Sequence, residues 1–381
     1  MKKTIISLEV FKDSGGPTKT INAFKSALSA DLFCFCSPQE LSEKGLAIEG
    51  AYPVVSSRLP LLRQIRVSST KSSTDAERAV AESRMVSCHS FYRYHALWVN
   101  RMSRKHSVPY WFVPHGILDP WVMGRGRFVK EAFWRFGGKR FLDEASTVIF
   151  STSSERDKAA SQFELPASEV IPWPVELVDS SNRTNCRDRI RRELSIPKEA
   201  KVLLYFGRIH SMKKPIETIR AVASGGDENL HLMVVGNEQD VSLKDCSAAA
   251  DELGIAKQVH LIGPVYGEKK YDYLLAADAY ISLSHRENFN HTAAESLSAG
   301  LPLILSPGND LQGDIESEKC SWGLPDNELK AASEAIEEFN CLSTHELHEM
   351  GVRGRNWVAE NLQFKQFKER INNVVAKYGK S

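Results

Sequence analysis

Short apolar runs alternate with longer helical stretches through two successive parts of this chain, and that rhythm leaves few architectures open. Thr4 to Leu8, Leu32 to Cys36, Val86 to His89, Tyr110 to Val113 and Thr147 to Ser151 read as strands, with helices over Thr18 to Ser29 and His95 to Lys105. The pattern returns at Lys201 to Phe206, His231 to Val235, Val259 to Ile262, Ala279 to Leu283 and Leu303 to Leu305. The helices between them start at Pro215 or lie near Ser247 to Leu253, near Lys269 to Ala276 and over 291 to 299. The expectation is an α/β chain of two doubly wound parallel sheets of Rossmann type. A length of 381 residues suits two cores better than one. Pro172 to Pro197, rich in Pro, Ser and Asn, reads as a linker, and Gln363 to Tyr378 as an amphipathic helix that packs back on the first domain.

Composition narrows the function. Lys and Arg number 49 against 48 Asp and Glu, a formal charge of +1, which excludes a general nucleic-acid binder that needs a strong positive field. The first 180 residues lean basic and the remainder acidic. The start, MKKTIISLEVF, reads as neither a signal peptide nor a membrane span, and no other run reaches spanning length. Seven cysteines are scattered, odd in number and without a CxxC pair. They read as reduced thiols of a cytoplasmic protein, and no metal site is expected.

The most informative segment is 281–308, ISLSHRENFNHTAAESLSAGLPLILSPG. Asn290 reads as the N-cap of a helix that follows a strand, so the helix mouth faces the strand's C-terminal edge, where orphan N–H groups and the helix dipole favour an anion. Glu287 just before that mouth and Glu295 within the helix add hydroxyl acceptors, a combination suited to a sugar nucleotide. Solvated helix acids are the bland alternative. In LLYFGRIHSMKKPIETI, Arg208 and Lys213 fall in a strand-to-helix loop with Pro215 at the first helical position, so two cations meet a second helix start. Gly15 and Gly16, between the opening strand and its helix, would let a ligand approach the backbone; they form neither a GxGxxG nor a GxxxxGK[ST] motif, so a simple glycine turn stays open. His115, in WFVPHGILDPW, ends a strand and could face a reacting centre. His89 and His95 read as structural. Residues 125–142, RGRFVKEAFWRFGGKRFL, interleave cations and aromatics; solvated cations over core aromatics and contact with an anionic bilayer both fit, and RLPLLRQIR at 58–66 raises the same question.

Together these motifs resemble the retaining glycosyltransferases of family 4. SGGPTKTINAF, VPHGILDPW, STSSERD, FGRIHSMKKP, LIGPVYGEKKYDYLLAADAYISLS and ENFNHTAAESLSAGLPLI carry the likeness over most of the chain. The resemblance implies a GT-B fold, two Rossmann-like domains facing across a cleft: an acceptor-side domain over 1–172, a linker over 173–197, a donor domain over 198–362 and a returning C-terminal helix over 363–381. It implies that Arg208 and Lys213 grip the donor diphosphate, that Glu287 holds the sugar and Glu295 the ribose, and that Asn288, Phe289 and Asn290 line the donor. By the same resemblance His115 sits near the anomeric carbon, the Gly15 to Gly16 loop lines the cleft, and Gly263 lies where the base is read. The implied activity is metal-independent, retaining transfer of a hexose from a UDP-, GDP- or ADP-sugar to a carbohydrate or lipid-linked acceptor in polysaccharide biosynthesis, in the cytoplasm or at the inner membrane face. A sugar phosphorylase, an epimerase or hydrolase, and a non-catalytic nucleotide-sugar binding protein are the alternatives. Three departures stand out: Asn290 and Lys214 occupy positions where the family commonly has glycine, and Trp173 and Pro174 replace a frequent IPNG pattern.

Overall fold

The computed structural model describes residues 2–7, 10–11, 16–36, 38–55, 71–124 and 127–380. Gly15, Arg125 and the 58–66 segment lie outside the described residues. The chain forms two compact units, Met1–Pro174 with Phe364–Ser381, and Val175–Gln363.

In the first unit seven strands run in parallel: β1 (Lys2–Ser7), β2 (Asp31–Cys36), β3 (Ala51–Val55), β4 (Ser83–His89), β5 (Tyr110–Val113), β6 (Thr147–Phe150) and β7 (Ser168–Val170), in spatial order β3-β2-β1-β4-β5-β6-β7. The second unit repeats the arrangement with β8 (Lys201–Phe206), β9 (Leu230–Val235), β10 (Val259–Gly263), β11 (Ala279–Ser282), β12 (Leu303–Leu305) and β13 (Ser321–Gly323), ordered β10-β9-β8-β11-β12-β13. The apolar runs are continuous because both faces are covered; every residue of β9 is buried. Strand order reverses between β1 and β4 and between β8 and β11. At such a switch point the following loops diverge and leave a crevice beyond the C-terminal strand ends, so a ligand is expected there.

The returning helix Phe364–Tyr378 packs within the first unit. Phe367 meets Phe24 of the helix Gly16–Leu28 edge-on at 5.1 Å, and Lys377 pairs with Glu169 at 2.9 Å. Trp173 is buried in the same cluster, 5.6 Å from Phe24. All seven cysteines are free thiols, and only Cys341 is exposed.

The segment read as a linker contains the helix Arg183–Glu193. Only Cys186 and Ile190, one turn apart, are apolar in RTNCRDRIRRE, so periodicity hides it. Charge holds it instead: Asp278 accepts from Arg187 at 2.6 Å, from Arg191 at 2.7 Å and from the Val202 N–H at 2.8 Å, while Arg189 reaches Asp272 at 2.6 Å. The helix read near Ser247 starts four residues earlier, at Leu243, where Ser242 and Asp245 form a reciprocal capping box. Strand β3 escapes the sequence pattern because Pro53 interrupts it; it is an edge strand, the place where a missing N–H is tolerated.

Arg191 is almost wholly buried, so removing its partner strands a desolvated cation. Asp278→Ala is expected to cost about 3 kcal/mol in urea unfolding; an unchanged midpoint would show that this charge cluster does not anchor the helix.

Candidate functional site

In the second unit the residues singled out from sequence gather at the switch point. Gly207 follows β8, and the loop beyond it carries Arg208, a 3-10 turn Ser211–Lys213 and the helix Pro215–Gly225 with proline at its start. The loop after β11 carries Glu287 and leads into the helix His291–Ser298, which Asn290 caps by accepting from the Ala293 N–H at 3.2 Å. The His285 N–H donates to the Met212 carbonyl at 2.7 Å and ties the two loops together. A third loop, after β12, closes on them: the Glu287 N–H donates to the Gly308 carbonyl at 2.7 Å, and the Asp310 N–H donates to the Glu287 carbonyl at 2.9 Å. Gly308 permits this approach, since a Cβ there would lie 2.3 Å from the His285 carbonyl oxygen.

Across the loops Lys213 Nζ meets Glu287 Oε1 at 2.5 Å, with both side chains largely shielded, and the Ser284 hydroxyl donates to the same oxygen at 3.2 Å. Arg208 stands exposed at the rim, one guanidinium nitrogen 3.3 Å from Gln239 Oε1. Glu295, one turn into the helix, pairs with Lys270 at 2.8 Å, again with both partners shielded. Phe289 is buried against the His291 ring, 5.0 Å between centroids, and Asn288 is half-buried. Gly263 ends β10 with φ +79. Three cations, two carboxylates and a helix start thus share one strand edge, a setting for a ligand with both phosphates and hydroxyls.

Two departures from the usual motif acquire a reason here. Lys214 has φ 52 and Asn290 has φ 50, both in the left-handed region that glycine enters at no steric cost. Asparagine tolerates that region better than most residues, and Asn290 is further held by donating to Asn309 Oδ1 at 2.7 Å. The backbone geometry that glycine would supply is therefore present without it.

In the first unit His115 follows β5 with φ 54, and Gly116 continues the turn with φ 76. Glu155 fixes the turn. Its buried carboxylate accepts from the Gly116 N–H at 2.6 Å and from the Ser151 N–H at 2.8 Å and hydroxyl at 2.6 Å. Gly16 opens the helix Gly16–Leu28 at the C-terminal side of β1. His89, read from sequence as structural, touches His115: His89 Nδ1 lies 2.9 Å from His115 Nε2, with the rings stacked. Behind it the Ser87 hydroxyl lies 2.9 Å from His89 Nε2 and accepts from the Trp111 indole N–H. Indole nitrogen can only donate, so the Ser87 hydrogen is available to His89 Nε2, and His89 then donates through Nδ1 to His115. The reverse direction leaves the Ser87 hydrogen without an acceptor among the described contacts. On this assignment neutral His115 carries its hydrogen on Nδ1. The buried Trp173 ring lies 5.9 Å from His115 and shields this pair.

Sequence reasoning missed His89, Glu155, Lys270 and Asn309. The first two stand in strand-end motifs that spacing alone does not connect, and Lys270 and Asn309 meet Glu295 and Asn290 only through the fold. Among the described residues no group of three or more His, Cys, Asp or Glu is placed to hold a metal ion, and no helix is long and apolar enough to cross a membrane.

Burial holds His95 at about 4 and His89 well below the ordinary histidine value of 6.5. The folded state therefore binds fewer protons than the unfolded one in this window. The stability these groups contribute is intact above about 6.5 and drains as pH falls toward their folded values. Melting curves should show stability declining from neutral pH to about pH 5, by up to ~1.4 kcal/mol per pH unit for each such histidine, and less steeply in His95→Gln. A melting temperature flat across that range would contradict the assignment.

Comparison with known proteins places this geometry in context. Residues 186–357 match the family described as glycosyl transferases group 1, and residues 23–175 match the glycosyl transferase 4-like domain. Curated relatives include the D-inositol 3-phosphate glycosyltransferases of Streptomyces avermitilis and Thermobispora bispora. The first is 27% identical over 213 residues, covering 53% of this chain and 46% of that relative; the second is 30% identical over 179 residues, covering 45% and 42%. The matched part of this chain spans somewhat under half the length of these relatives. Among solved structures, HepE of Anabaena in complex with UDP and glucose superposes with a TM-score of 0.76 at 14% identity, covering 99% of this chain and 100% of that one. Sucrose-phosphate synthase of Thermosynechococcus elongatus superposes with a TM-score of 0.74 at 17% identity, covering 99% of both. These structural likenesses concern the fold, which is GT-B.

Proposed function

We propose that this chain, which belongs to the glycosyl transferases of group 1, moves a hexose from a nucleoside-diphosphate sugar to an acceptor hydroxyl with retention of anomeric configuration and without a metal ion. The observation that carries the reading is the contact of Lys213 with Glu287 at the β8/β11 switch point, beside Arg208 and the start of the helix His291–Ser298. An ammonium against a carboxylate at a helix mouth suits a donor that brings both a pyrophosphate and sugar hydroxyls. The phosphate would take over Lys213 while the hydroxyls donate to Glu287. The names of the curated relatives and the UDP bound to HepE support a sugar nucleotide; the acceptor in this reading is a carbohydrate or a lipid-linked glycan.

Arg208 and Lys213, with the helix dipole, stabilise the charge that grows on the departing diphosphate, the role a divalent cation plays in other transferases. Glu287 orients the hexose, and Glu295, steadied by Lys270, receives the ribose hydroxyls. In the transfer the bond from C1 to the diphosphate oxygen breaks on the face where the acceptor oxygen bonds to C1. The acceptor proton passes to the departing phosphate oxygen. The resemblance assigns His115 to the reacting sugar, and its Nδ1–H, set by His89, would donate to a sugar hydroxyl. Asn288, Phe289, Asn290 and Gly263 complete the donor lining in this reading, and the resemblance assigns the Gly16 turn of the first unit to ligand binding.

One preorganised donor to a developing anion is commonly worth about 3 kcal/mol of barrier. Arg208→Ala should therefore lower kcat/KM by roughly a hundredfold in a coupled nucleotide-release assay, and EDTA should leave the parent rate unchanged. Equal rates for variant and parent would sink the diphosphate grip; loss in EDTA with recovery in Mg²⁺ would sink metal independence.

A further inference from the structure

Shielded cations of the second unit spend their hydrogens in two ways. Lys201, at the start of β8, donates to the carbonyls of Phe339, Asn340 and Leu342 at 3.4, 2.5 and 2.6 Å, so its three N–H groups close the end of the helix Leu329–Cys341. Arg191 is equally engaged, donating to the carbonyls of Ala276, Lys198 and Ala200 as well as to Asp278. Cations that hold a fold together look like this. Lys270 does not. Its ammonium donates to Glu295 Oε1 at 2.8 Å and stands 4.6 Å from the centre of the Tyr271 ring, and among the described residues it meets no other acceptor. Yet the side chains of Lys270 and Glu295 are only 17% and 15% exposed. Two N–H groups of a largely desolvated ammonium are left for water or a ligand.

The local fold sets this pair at the strand edge already described. The helix Lys269–Ala276 follows β10 and a loop in which Gly263 and Gly267 take φ +79 and +63. The Lys270 N–H donates to the Gly267 carbonyl at 3.3 Å, which fixes the first turn at the C-terminal side of β10. Glu295 comes from the helix after β11, a strand separated from β10 by β9 and β8. An ammonium and a carboxylate held together with donors to spare are matched to a hydroxyl, which gives its hydrogen to the carboxylate and accepts an N–H from the ammonium. A phosphate would suit Lys270 and be repelled by Glu295; an apolar group would leave both charges desolvated and unmet.

We propose that Lys270 is a specificity-determining residue that, with Glu295, reads the 2′-hydroxyl of the donor's ribose and so confines the donor to ribonucleoside diphosphate sugars, excluding 2′-deoxyribose ones. The inference rests on the donor reading above, which gives Glu295 to the ribose. It adds a direct bond from the ammonium and the choice of nucleotide that follows from it. Without the 2′-hydroxyl that N–H group has no ligand partner, while the pyrophosphate and the base are held as before.

The test is titration calorimetry on the full chain with UDP and 2′-deoxy-UDP, and with the corresponding guanine and adenine pairs. The parent should bind its preferred ribonucleotide roughly a hundredfold tighter than the 2′-deoxy form, the scale of two hydrogen bonds to charged groups. Lys270→Met, which keeps an unbranched stem beside Tyr271 and removes the donors, should shrink that ratio about tenfold by weakening the ribonucleotide alone. Lys270→Gln, with N–H donors but no charge, should fall between parent and Lys270→Met. Equal affinity of the parent for ribo and 2′-deoxy forms overturns the inference and leaves the diphosphate grip standing. A ratio unmoved in both variants overturns it too, as does a loss shared equally by the two nucleotides, the mark of a lysine that only joins two helices. Failure of the parent to bind any nucleoside diphosphate would overturn the donor reading itself, and this inference with it.

Discussion

The position of Glu287 depends on its backbone before its side chain. Its N–H and carbonyl are both bonded into the loop after β12, and the neighbouring His285 N–H is bonded into the loop after β8. Three strand-end loops thereby become one hydrogen-bonded unit. Lys213 and Glu287 meet within it largely shielded from water, so their attraction is less screened than that of a surface pair while desolvation opposes it, and a competing anion can redirect the ammonium. A site preorganised in this way loses little entropy on binding, because the loops are already ordered.

Part of the backbone strain lies at the C-terminal strand edge of each sheet. His115, Lys214 and Asn290 are non-glycine residues with positive φ, each directly after or near the C-terminal end of a strand that flanks or neighbours a switch point. Left-handed conformations cost such residues about 1 kcal/mol or more, and they persist where surrounding contacts over-determine them. Glu155 supplies those contacts around Gly116, and Asn309 supplies them around Asn290. Lysine and asparagine here hold the left-handed conformation that glycine enters most easily.

The inner parallel strands were legible from sequence because they are buried on both faces and written as largely apolar runs, as in LHLMVV and KVLLYF, whereas the short outer strands β3, β7 and β13 carry no such run. The cap at Asn290 was legible because capping is local chemistry. Elements held by long-range charge were not: the Arg183–Glu193 helix has two apolar residues and depends on Asp278, almost ninety positions away. The same limit applies to the site. Arg208, Lys213, Glu287 and Glu295 could be named from motif and strand order, whereas the partners that set their state, Lys270 for Glu295 and His89 for His115, are contacts between different strands and helices.

Most directly at stake is whether Lys213 answers to a diphosphate or only to Glu287. Titration calorimetry with UDP, GDP and ADP, on the parent, Lys213→Ala and Glu287→Gln, separates the two. If Lys213 grips the pyrophosphate, Lys213→Ala weakens the preferred nucleotide about tenfold or more, the scale of one charge-assisted hydrogen bond. Glu287→Gln, which releases the ammonium from its carboxylate, should bind that nucleotide as well as the parent or more tightly. Affinity unmoved by Lys213→Ala, or lowered equally by both substitutions, would contradict the account.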